Sequence, residues 1–249
     1  MVRAFTVLTH NLLAPVWAIP RHYPHHVHHL LAKHDARREA SFRNLEMNEP
    51  DIVLLQEVTE PVMDRLEERF GDRYQVSRGY HNSRLWRDWS ERDCLHGLVT
   101  MQKKESLTLE EVTSVPLSLD GNCALCVHLK WDNTELVCVN SHLETLSSEV
   151  RREQTSKILE YVADSKRVIC GGDFNEPIRD NSLLEHGFCG RPSRYPTVFD
   201  LDQVRCVDYV VTRGIELELV DDSQPTTLKQ CLVEYGSDHL PVLYKVVTR

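Results

Sequence analysis

Long apolar runs are missing from this sequence, and their absence limits the kinds of protein that it can encode. None of the 249 residues fall in an uninterrupted apolar stretch of about 18 residues, the length that a transmembrane helix needs. The first residues, MVRAFTVLTHNLL, lack the A-x-A-like cleavage site of a signal peptide and instead predict a strand. We therefore expect no membrane partner.

A surplus of positive charge is also missing. The formal net charge is −9 at pH 7. Because contacts to phosphates need clustered lysine and arginine, this balance argues against a protein that coats long nucleic acids nonspecifically, although it leaves room for a local basic groove. It also suits a site built from carboxylates that bind a cation.

Cysteine is present but forms no evident disulfide framework. The eight cysteines are scattered, and several lie in apolar runs such as LVCVN and RVICGG, where cysteine behaves as a small buried hydrophobe. A chain of this length needs no disulfides to hold its core, so we expect a reducing compartment, the cytoplasm or alternatively the nucleus. No segment indicates an obligate protein partner.

Internal repeats and low-complexity linkers are absent as well, so we expect residues 1–249 to form one domain. Apolar and β-branched runs predict strands at residues 4–9, 51–56, 96–101, 123–130, 135–142, 167–172, 206–212 and 241–247. Apolar positions at helical spacing predict helices over residues 35–48, 61–70 and 147–164. The pattern favours an α/β fold in which two sheets pack face to face with helices outside.

Polar residues stand at the ends of most predicted strands. They are Asn11, Gln56, Glu57, His142, Asp173, Asn175, Asp208, Asp238 and His239. Rigid scaffolds present catalytic groups at strand ends and in the adjoining loops, so these side chains would converge if the strand ends form one rim. Each residue alone also has an ordinary explanation, as a turn former, a helix-start acid or a structural histidine. The prediction of a site therefore depends on their joint occurrence.

The acidic members of this set predict a cation beside a phosphate ester. Glu57 and the aspartates offer the hard oxygen ligands that Mg²⁺ prefers, together with water and substrate phosphate. Such an ion polarises a phosphoryl oxygen. Asp173 is a candidate to orient or deprotonate the attacking water. In the segment GGDFNEP, the two glycines before Asp173 are expected to clear space for the phosphate, unless they only end a strand and begin a turn.

The remaining members can donate hydrogen bonds or protons. Asn11, Asn175 and His142 can donate to phosphate oxygens in the transition state. His239 is the acid–base candidate because imidazole titrates near neutral pH, and whether it acts as base, acid or charge stabiliser stays open. Asp208 could hold the far nitrogen of that ring and favour its charged form.

Six motifs occur in one order between residues 9 and 242: THNLL, DIVLLQEV, NSHLE, GGDFNEP, VDYVV and SDHLPV. As a set they resemble the endonuclease/exonuclease/phosphatase family, the DNase I-like metal-dependent phosphoesterases. The resemblance implies a four-layer α/β sandwich, with two mainly antiparallel or mixed sheets flanked by helices and the site at one edge. It also implies the following roles: Glu57 as main metal ligand, Asp238 near the metal, Asn11, Asp173 and Asn175 around water and phosphate, His142 at the scissile phosphate, and Asp208 paired with His239. The implied cofactor is Mg²⁺, with Mn²⁺ as a substitute.

The motifs resemble more than one branch of the family. NLLAP with the insertion that follows it, GDFNEP and VDYVV are similar to the deadenylase, nocturnin and 2′-phosphodiesterase branch. SHLET followed by RREQ resembles tyrosyl-DNA phosphodiesterases, although Leu13 stands where those enzymes usually carry Asp. We predict a nuclease acting near an end of single-stranded RNA or DNA, most closely a 3′–5′ exoribonuclease. The alternatives are a 5′-tyrosyl-DNA phosphodiesterase, a small-nucleotide or phospholipid phosphodiesterase, and a noncatalytic nucleic-acid-binding module.

Candidate substrate contacts come from three other segments. The stretch 73–92, RYQVSRGYHNSRLWRDWSER, interleaves arginines with aromatic residues, which suits phosphate and base contacts; from it we predict Arg84 and Trp86, unless the stretch is only a surface loop. Arg151, after SHLET, is predicted to contact phosphate or to form an ordinary surface ion pair.

The third segment is histidine-rich. Residues 21–34, RHYPHHVHHLLAKH, lack the cysteine or acid spacing that would complete a zinc site. We expect a solvated loop over the edge of the active site, with Tyr23, and with Trp17 just before it, forming part of a wall that contacts the substrate.

Overall fold

Two six-stranded β-sheets face each other in the computed structural model, which describes residues 4–80, 96–118, 121–132, 134–199, 204–220 and 227–247. The strands are β1 (Ala4–Asn11), β2 (Ile52–Thr59), β3 (Tyr74–Tyr80), β4 (His96–Lys103), β5 (Thr108–Pro116), β6 (Cys123–Trp131), β7 (Thr134–His142), β8 (Val168–Asp173), β9 (Cys189–Gly190), β10 (Val198–Phe199), β11 (Val204–Arg205), β12 (Asp208–Arg213), β13 (Glu216–Leu219) and β14 (Val242–Val247). The helices are α1 (His28–Leu31), α2 (His34–Asn48), α3 (Glu60–Phe70), α4 (Ser148–Tyr161) and α5 (Leu228–Glu234).

The two sheets share one plan. The first has the order β13–β14–β1–β2–β4–β3 and the second the order β5–β6–β7–β8–β12–β9. Within each sheet the central pair is parallel, β1 with β2 and β7 with β8, and the described pairings around it are antiparallel. A parallel pair needs a crossover, which α2 supplies in the first sheet and α4 in the second. The sheets are therefore mixed, as predicted.

Apolar side chains fill the space between the sheets and beneath the helices. Leu54 of the first sheet and Leu125 of the second are fully buried in the cluster between the sheets. Phe42 of α2 and Leu66 of α3 are buried in a second cluster on the outer face of the first sheet. Ile158 of α4 belongs to the cluster that includes the second sheet. Helix, sheet, sheet and helix thus form the predicted four layers.

The sequence pattern located the principal elements and missed several weaker ones. The eight predicted strands and three predicted helices are all present, with ends that differ by at most three residues. Strands β3 and β5 were missed. β3 lies inside the stretch 73–92, and β5 reads TLEEVTSVP, with most side chains at least partly exposed. An edge strand with charged side chains gives little apolar signal. No helix in the described ranges has both the length and the hydropathy that crossing a membrane requires.

The histidine-rich segment is not the irregular solvated loop that was predicted, although most of its histidines are exposed. It forms 3-10 turns and α1, and Tyr23, Val27 and Leu31 are buried. These three side chains pack with Leu13 and Leu232 in a small apolar cluster. Val27 and Leu31 are four residues apart, the spacing that shares one face of a helical segment, whereas Tyr23 lies in extended backbone before that segment. The segment therefore anchors the loop that follows β1.

Candidate active site

The carboxyl ends of the parallel strands bring polar side chains of both sheets together. Asn11 ends β1 beside Gln56 of β2, and His142 ends β7 beside Asp173, which ends β8. Asp208 begins β12 and pairs with Asp173 from the other side. Asn11 Nδ2 donates a hydrogen bond to Asp173 Oδ2 at 3.0 Å, which joins the two sheets at this edge. The sheet register thus produces the convergence that strand ends alone could only suggest.

His239 lies between two aspartates in this edge. Its Nδ1 lies 2.9 Å from Asp208 Oδ2, and its Nε2 lies 3.8 Å from Asp173 Oδ2. His142 approaches the same oxygen of Asp173, with its Nε2 at 3.6 Å. The side chains of Asp173 and Asp208 are 2% and 0% exposed, so these charges interact with little screening by water.

Glu57 reaches the edge because β2 bulges there. The pairing of β2 with β4 shifts register between Leu55 and Val58, and Glu57 has a φ of 54°. A bulge re-aims a side chain that strict alternation would place elsewhere. The carboxylate accepts hydrogen bonds from Asn11 Nδ2 at 3.0 Å and from the Ala14 backbone N–H at 2.8 Å. Left-handed backbone at a non-glycine residue is strained, and such strain clusters at functional sites.

Asp238 is held by Tyr23, the residue that was predicted to contact the substrate. The Tyr23 hydroxyl donates a hydrogen bond to Asp238 Oδ2 at 2.9 Å, and the residue is only 7% exposed. Burial, followed by the charge of Asp238, raises the pKa of the phenol, so Tyr23 stays a donor. Contact of Tyr23 with the substrate stays a prediction, and the structure adds a role for the residue in positioning Asp238.

Asn175 turns the chain after β8. It has a φ of 52°, its backbone N–H donates to Asp173 Oδ1 at 3.0 Å, and its Nδ2 donates to the Leu143 carbonyl at 2.9 Å. An asparagine amide carries two N–H donors, so a second hydrogen remains for another acceptor. Asn175 therefore fixes Asp173 through its backbone while its side chain borders the cleft.

The two glycines before Asp173 serve packing, which corrects the prediction that they clear space for a phosphate. A Cβ on Gly171 would lie 2.8 Å from Leu54 Cδ1 in the facing sheet. A Cβ on Gly172, whose φ is 145°, would lie 1.9 Å from the Ser141 carbonyl oxygen of β7. The glycines allow β8 to approach its neighbours closely. This close packing determines the position of Asp173 at the end of β8.

Replacing Gly172 by Ala is expected to lower the free energy of unfolding by about 3 kcal/mol, because the new methyl group meets backbone rather than a movable side chain. The matched control is Gly187→Ala. Gly187 also has a left-handed φ, 78°, but a Cβ there meets nothing within 4 Å, so only the conformational cost of about 1 kcal/mol remains. Urea unfolding of both variants measures the difference, and equal losses would contradict this account.

Arg151 forms an ion pair within the protein, the alternative that the sequence analysis gave beside phosphate contact, and its contact with phosphate stays a prediction. Its Nε donates to Glu176 Oε2 at 2.9 Å, and its Nη1 donates to the carbonyls of Glu144 and Thr145 at 2.9 and 3.1 Å. Glu176 belongs to GGDFNEP, so the guanidinium joins the loop after β7 to the loop after β8. The predicted contacts Arg84 and Trp86 lie outside the described residues.

Arg37 of α2 is a residue that the sequence reading missed. It is 4% exposed, and its Nη1 donates to the carbonyls of Leu13 and Gly236 at 3.1 and 3.0 Å. One carbonyl belongs to the loop after Asn11, and the other precedes Asp238 and His239. A single guanidinium therefore ties together two loops that carry the site.

A signal for Arg37 was present in the sequence. It shares the buried face of α2 with Ala40, Ser41, Asn44 and Leu45, at the i+3, i+4, i+7 and i+8 spacing of one helical stripe. A charged residue in such a stripe is seldom buried without partners. The stripe contains few large apolar side chains, which made it hard to recognise.

The converging side chains line one cleft of about 700 Å³. They are Glu57, His142, Asp173, Asn175, Asp238 and His239. Clefts of about 300–1,000 Å³ are typical of small-molecule sites. The cleft therefore has room for a nucleotide-sized group beside these side chains.

Charged groups within the site stabilise one another's ionised forms. Burial alone would raise the pKa of the Asp173 carboxyl, but the charges of His142 and His239 outweigh it and lower that pKa. Burial also opposes a charge on His239, yet Asp208, Asp238 and Asp173 together raise the pKa of that imidazole well above its usual value. The site therefore holds a carboxylate and an imidazolium side by side.

Glu57 and Asp238 suit a divalent cation. Both are buried, at 8% and 5% exposure, and both border the cleft. Burial raises the pKa of the Glu57 carboxyl, and a nearby cation would favour its ionised form. Ligand atoms of Asp173, Asp208 and His239 also lie within 4.8 Å of one another. We favour Glu57 and Asp238 because Asp208 and His239 already hydrogen-bond to each other.

Comparison with known proteins agrees with this geometry. A model described as the Endonuclease/Exonuclease/phosphatase family matches residues 8–239. Among curated proteins, the chain is similar to Tyrosyl-DNA phosphodiesterase 2 of Homo sapiens, with 26% identity over 161 residues. The match covers 63% of this chain and 40% of that protein, so the chain spans less than half the length of the curated relative.

Solved structures share the fold. A crystal structure of ANGEL2, a 2′,3′-cyclic phosphatase, in complex with adenosine-2′,3′-vanadate has a TM-score of 0.82 at 16% identity, over 99% of this chain and 96% of that one. The human Nocturnin catalytic domain with bound sulfate has a TM-score of 0.71 at 17% identity, over 98% and 95% of the two chains. These likenesses confirm the predicted architecture.

Proposed function

The chain belongs to the endonuclease/exonuclease/phosphatase family, and on that premise we propose that it is a phosphodiesterase that cuts single-stranded nucleic acid near an end. Hydrolysis of phosphoric esters follows from the family. The observation that carries the proposal is the meeting of His239, Asp208 and Asp173 at the edge where Glu57 also lies. These groups can position water and hold a phosphate.

Mg²⁺ is the ion that we propose for Glu57 and Asp238, with Mn²⁺ as a substitute. In proteins Mg²⁺ is typically held by one or two carboxylates, several waters and substrate phosphate oxygens, and this site offers two carboxylates. When bound, the ion would polarise a phosphoryl oxygen and offset developing charge. Tyr23 would orient one of its ligands, since its hydroxyl donates to Asp238.

Asp173 is the group that we propose to orient the attacking water. Its Oδ2 accepts a hydrogen bond from Asn11 and faces the Nε2 atoms of His142 and His239. Although burial opposes ionisation, the two imidazoles lower the pKa of this carboxyl, so it is an acceptor at neutral pH. The imidazoles supply N–H donors where charge builds on the phosphate oxygens in the transition state.

Asp208 sets the orientation of His239. The carboxylate lies against Nδ1, so Nε2 is directed toward Asp173 and the cleft. A carboxylate on the far nitrogen fixes the ring and favours its protonated form. In this arrangement His239 donates a hydrogen bond to the phosphate rather than removing a proton from water.

The substrate that we favour is a single-stranded RNA end, degraded in the 3′–5′ direction as in deadenylases. The motif resemblance supports this choice. The likeness to the Nocturnin structure supports only the shared fold. The cleft has the size of a small-molecule site rather than of a duplex-binding groove.

A 5′-tyrosyl-DNA phosphodiesterase is the second candidate. It is favoured by the 26% identity to Tyrosyl-DNA phosphodiesterase 2, over the part of that protein that this chain matches. A small nucleotide is the third candidate, since the ANGEL2 structure with high similarity of fold holds adenosine-2′,3′-vanadate. No observation favours a phospholipid, and the presence of the complete acid–base set does not favour a noncatalytic module.

A panel of substrates separates these candidates. Labelled single-stranded oligoadenylate and a 5′-tyrosyl single-stranded DNA are each incubated with the wild type and Mg²⁺, and with excess chelator. We expect stepwise shortening of the RNA from its 3′ end, lost on chelation. Release of tyrosine from DNA alone would replace the first candidate by the second. Hydrolysis of neither substrate, nor of any simple phosphodiester, would contradict the proposal.

The compartment and domain organisation are part of the same proposal. We place the activity in the cytoplasm or nucleus and assign residues 1–249 to one catalytic domain. Cys138 and Cys170 are buried, and burial raises the pKa of both thiols, which keeps them protonated. Unreactive buried thiols suit a reducing compartment.

A further inference from the structure

Two exposed apolar side chains border the catalytic cleft. Trp17, in the loop after β1, is 38% exposed, and Leu146, in the loop between β7 and α4, is 92% exposed. Both line the cleft that also contains His142 and His239. Among the described residues, the other large apolar side chains with comparable exposure, Met47, Val112, Val204 and Val233, do not line it. Among the exposed apolar side chains of the described residues, Trp17 and Leu146 are therefore the two that lie beside the catalytic groups.

Trp17 is held in a defined position relative to the metal ligand. Its indole Nε1 donates to His96 Nε2 at 3.0 Å, and the two rings meet edge to face with centroids 6.0 Å apart. Its backbone N–H donates to the carbonyl of Ala14, whose own N–H donates to Glu57 Oε2. These hydrogen bonds therefore fix the position of the indole relative to Glu57.

Leu146 is also tied to the site. Its backbone N–H donates to Glu144 Oε1 at 3.1 Å, and the preceding carbonyl, of Thr145, accepts from Arg151 Nη1 at 3.1 Å. Arg151 in turn pairs with Glu176, in the segment that carries Asp173. The two apolar side chains thus belong to loops that are hydrogen-bonded to the segments carrying Glu57 and Asp173, and the two loops follow strands of different sheets.

We propose that Trp17 and Leu146 form a subsite for one unpaired nucleobase next to the scissile phosphate. An indole face stacks on any base, and an aliphatic side chain can cover the other face. A base inside a duplex cannot enter without first being unpaired and unstacked, which costs free energy. The inference rests on the proposed function and sharpens it, since it explains a requirement for single strands.

A lipid chain fits this rim less well than a base does. Beyond Trp17 and Leu146, the cleft is lined largely by polar and charged side chains, among them Arg21, Asn122 and Asp173. An acyl chain would need a continuous apolar groove, whereas a nucleotide needs an apolar surface for its base and polar groups for its phosphate and sugar. The nucleobase is therefore the occupant that the cleft favours.

The test compares two single-stranded oligoadenylates that differ only at the nucleotide flanking the scissile phosphate, which is intact in one and abasic in the other. Affinity is measured by fluorescence anisotropy in chelator, and kcat/KM in Mg²⁺. We expect the wild type to prefer the intact oligonucleotide by about 10- to 100-fold, the effect of one stacked base. Trp17→Ala and Leu146→Ala should each reduce this ratio, mainly through KM, and Trp17→Phe should keep most of it.

Met47→Ala is the matched control, since Met47 is 77% exposed and lies away from the cleft; its ratio should equal that of the wild type. Equal affinity of the wild type for the two oligonucleotides would overturn the subsite. The subsite would also be overturned if Trp17→Ala and Leu146→Ala weakened the binding of both oligonucleotides by the same factor. Base-dependent affinity without any hydrolysis would instead overturn the proposed function and leave the subsite standing.

Discussion

Replacing Asp173 by Asn is expected to lower kcat for phosphodiester hydrolysis by about 10²- to 10⁴-fold, the range that a positioned general base or acid contributes. The amide keeps the size of the carboxylate and keeps an oxygen that can accept the hydrogen bond from the Asn175 backbone. It cannot take a proton, and it removes the negative charge that faces the imidazoles of His142 and His239. With its oxygen kept toward Asn175, the new amide NH2 would face the donor Asn11 Nδ2, so we expect some loss of stability in addition to the loss in kcat, and kcat is compared at a temperature where both proteins are folded.

Initial rates over a range of substrate concentration, together with thermal melting, measure this prediction. Asp72→Asn is the matched control, because Asp72 is exposed in the turn after α3 and its replacement makes the same change in charge. It should leave kcat within about twofold of the wild type, as surface substitutions usually do. A folded Asp173→Asn variant with the kcat of the control would show that this carboxylate takes no part in the reaction.

Replacing Arg37 by Met should have the second largest effect, a loss of about 10²-fold in kcat together with a loss of about 3 kcal/mol in the free energy of unfolding. The buried guanidinium donates to the carbonyls of Leu13 and Gly236, and methionine leaves both without that donor. The loop after Asn11 and the loop that carries His239 would then be free to shift. Small displacements of this kind are costly because catalytic geometry tolerates less than about 1 Å of error.

Arg38→Met separates this effect from a general loss of charge on α2. Arg38 is the next residue along the chain and pairs with Asp35, whose side chain is 89% exposed, so the pair contributes little to stability. Rates are to be measured well below the melting temperature of each variant. Arg37→Lys should recover part of kcat, because an ammonium group can still donate hydrogen bonds. If Arg37→Met behaved like Arg38→Met, the two loops would not depend on this guanidinium.

The positions of polar residues at strand ends, together with the order of the motifs, suggested which side chains meet, and the sheet register accounts for their meeting. Asn11, Asp173 and Asp208 close or open strands of strong apolar pattern, and the parallel pairs place these ends at one edge. The bulge that turns Glu57 into the cleft leaves no mark in the sequence beyond its motif. Its position became evident only when β2 was seen to pair with β4.

Roles that depend on a long-range partner could not be predicted. Tyr23 reads as a surface aromatic until Asp238, 215 residues away, is found beside its hydroxyl. The same is true of Gly172, whose need for a missing Cβ comes from Ser141 in the neighbouring strand. Sequence patterns report which face of an element is buried, but not which atom it meets there.

The rate at which the wild type and Asp173→Asn hydrolyse bis(p-nitrophenyl) phosphate in Mg²⁺ tests the central claim most directly. This diester carries neither base nor tyrosine. Its hydrolysis therefore tests whether the residues of the two sheets form a catalytic site, independently of which natural substrate the site prefers. The account predicts measurable hydrolysis by the wild type that chelation abolishes and that Asp173→Asn lowers at least about 10²-fold. Absence of hydrolysis by the folded wild type, or equal rates for the two proteins, would contradict it.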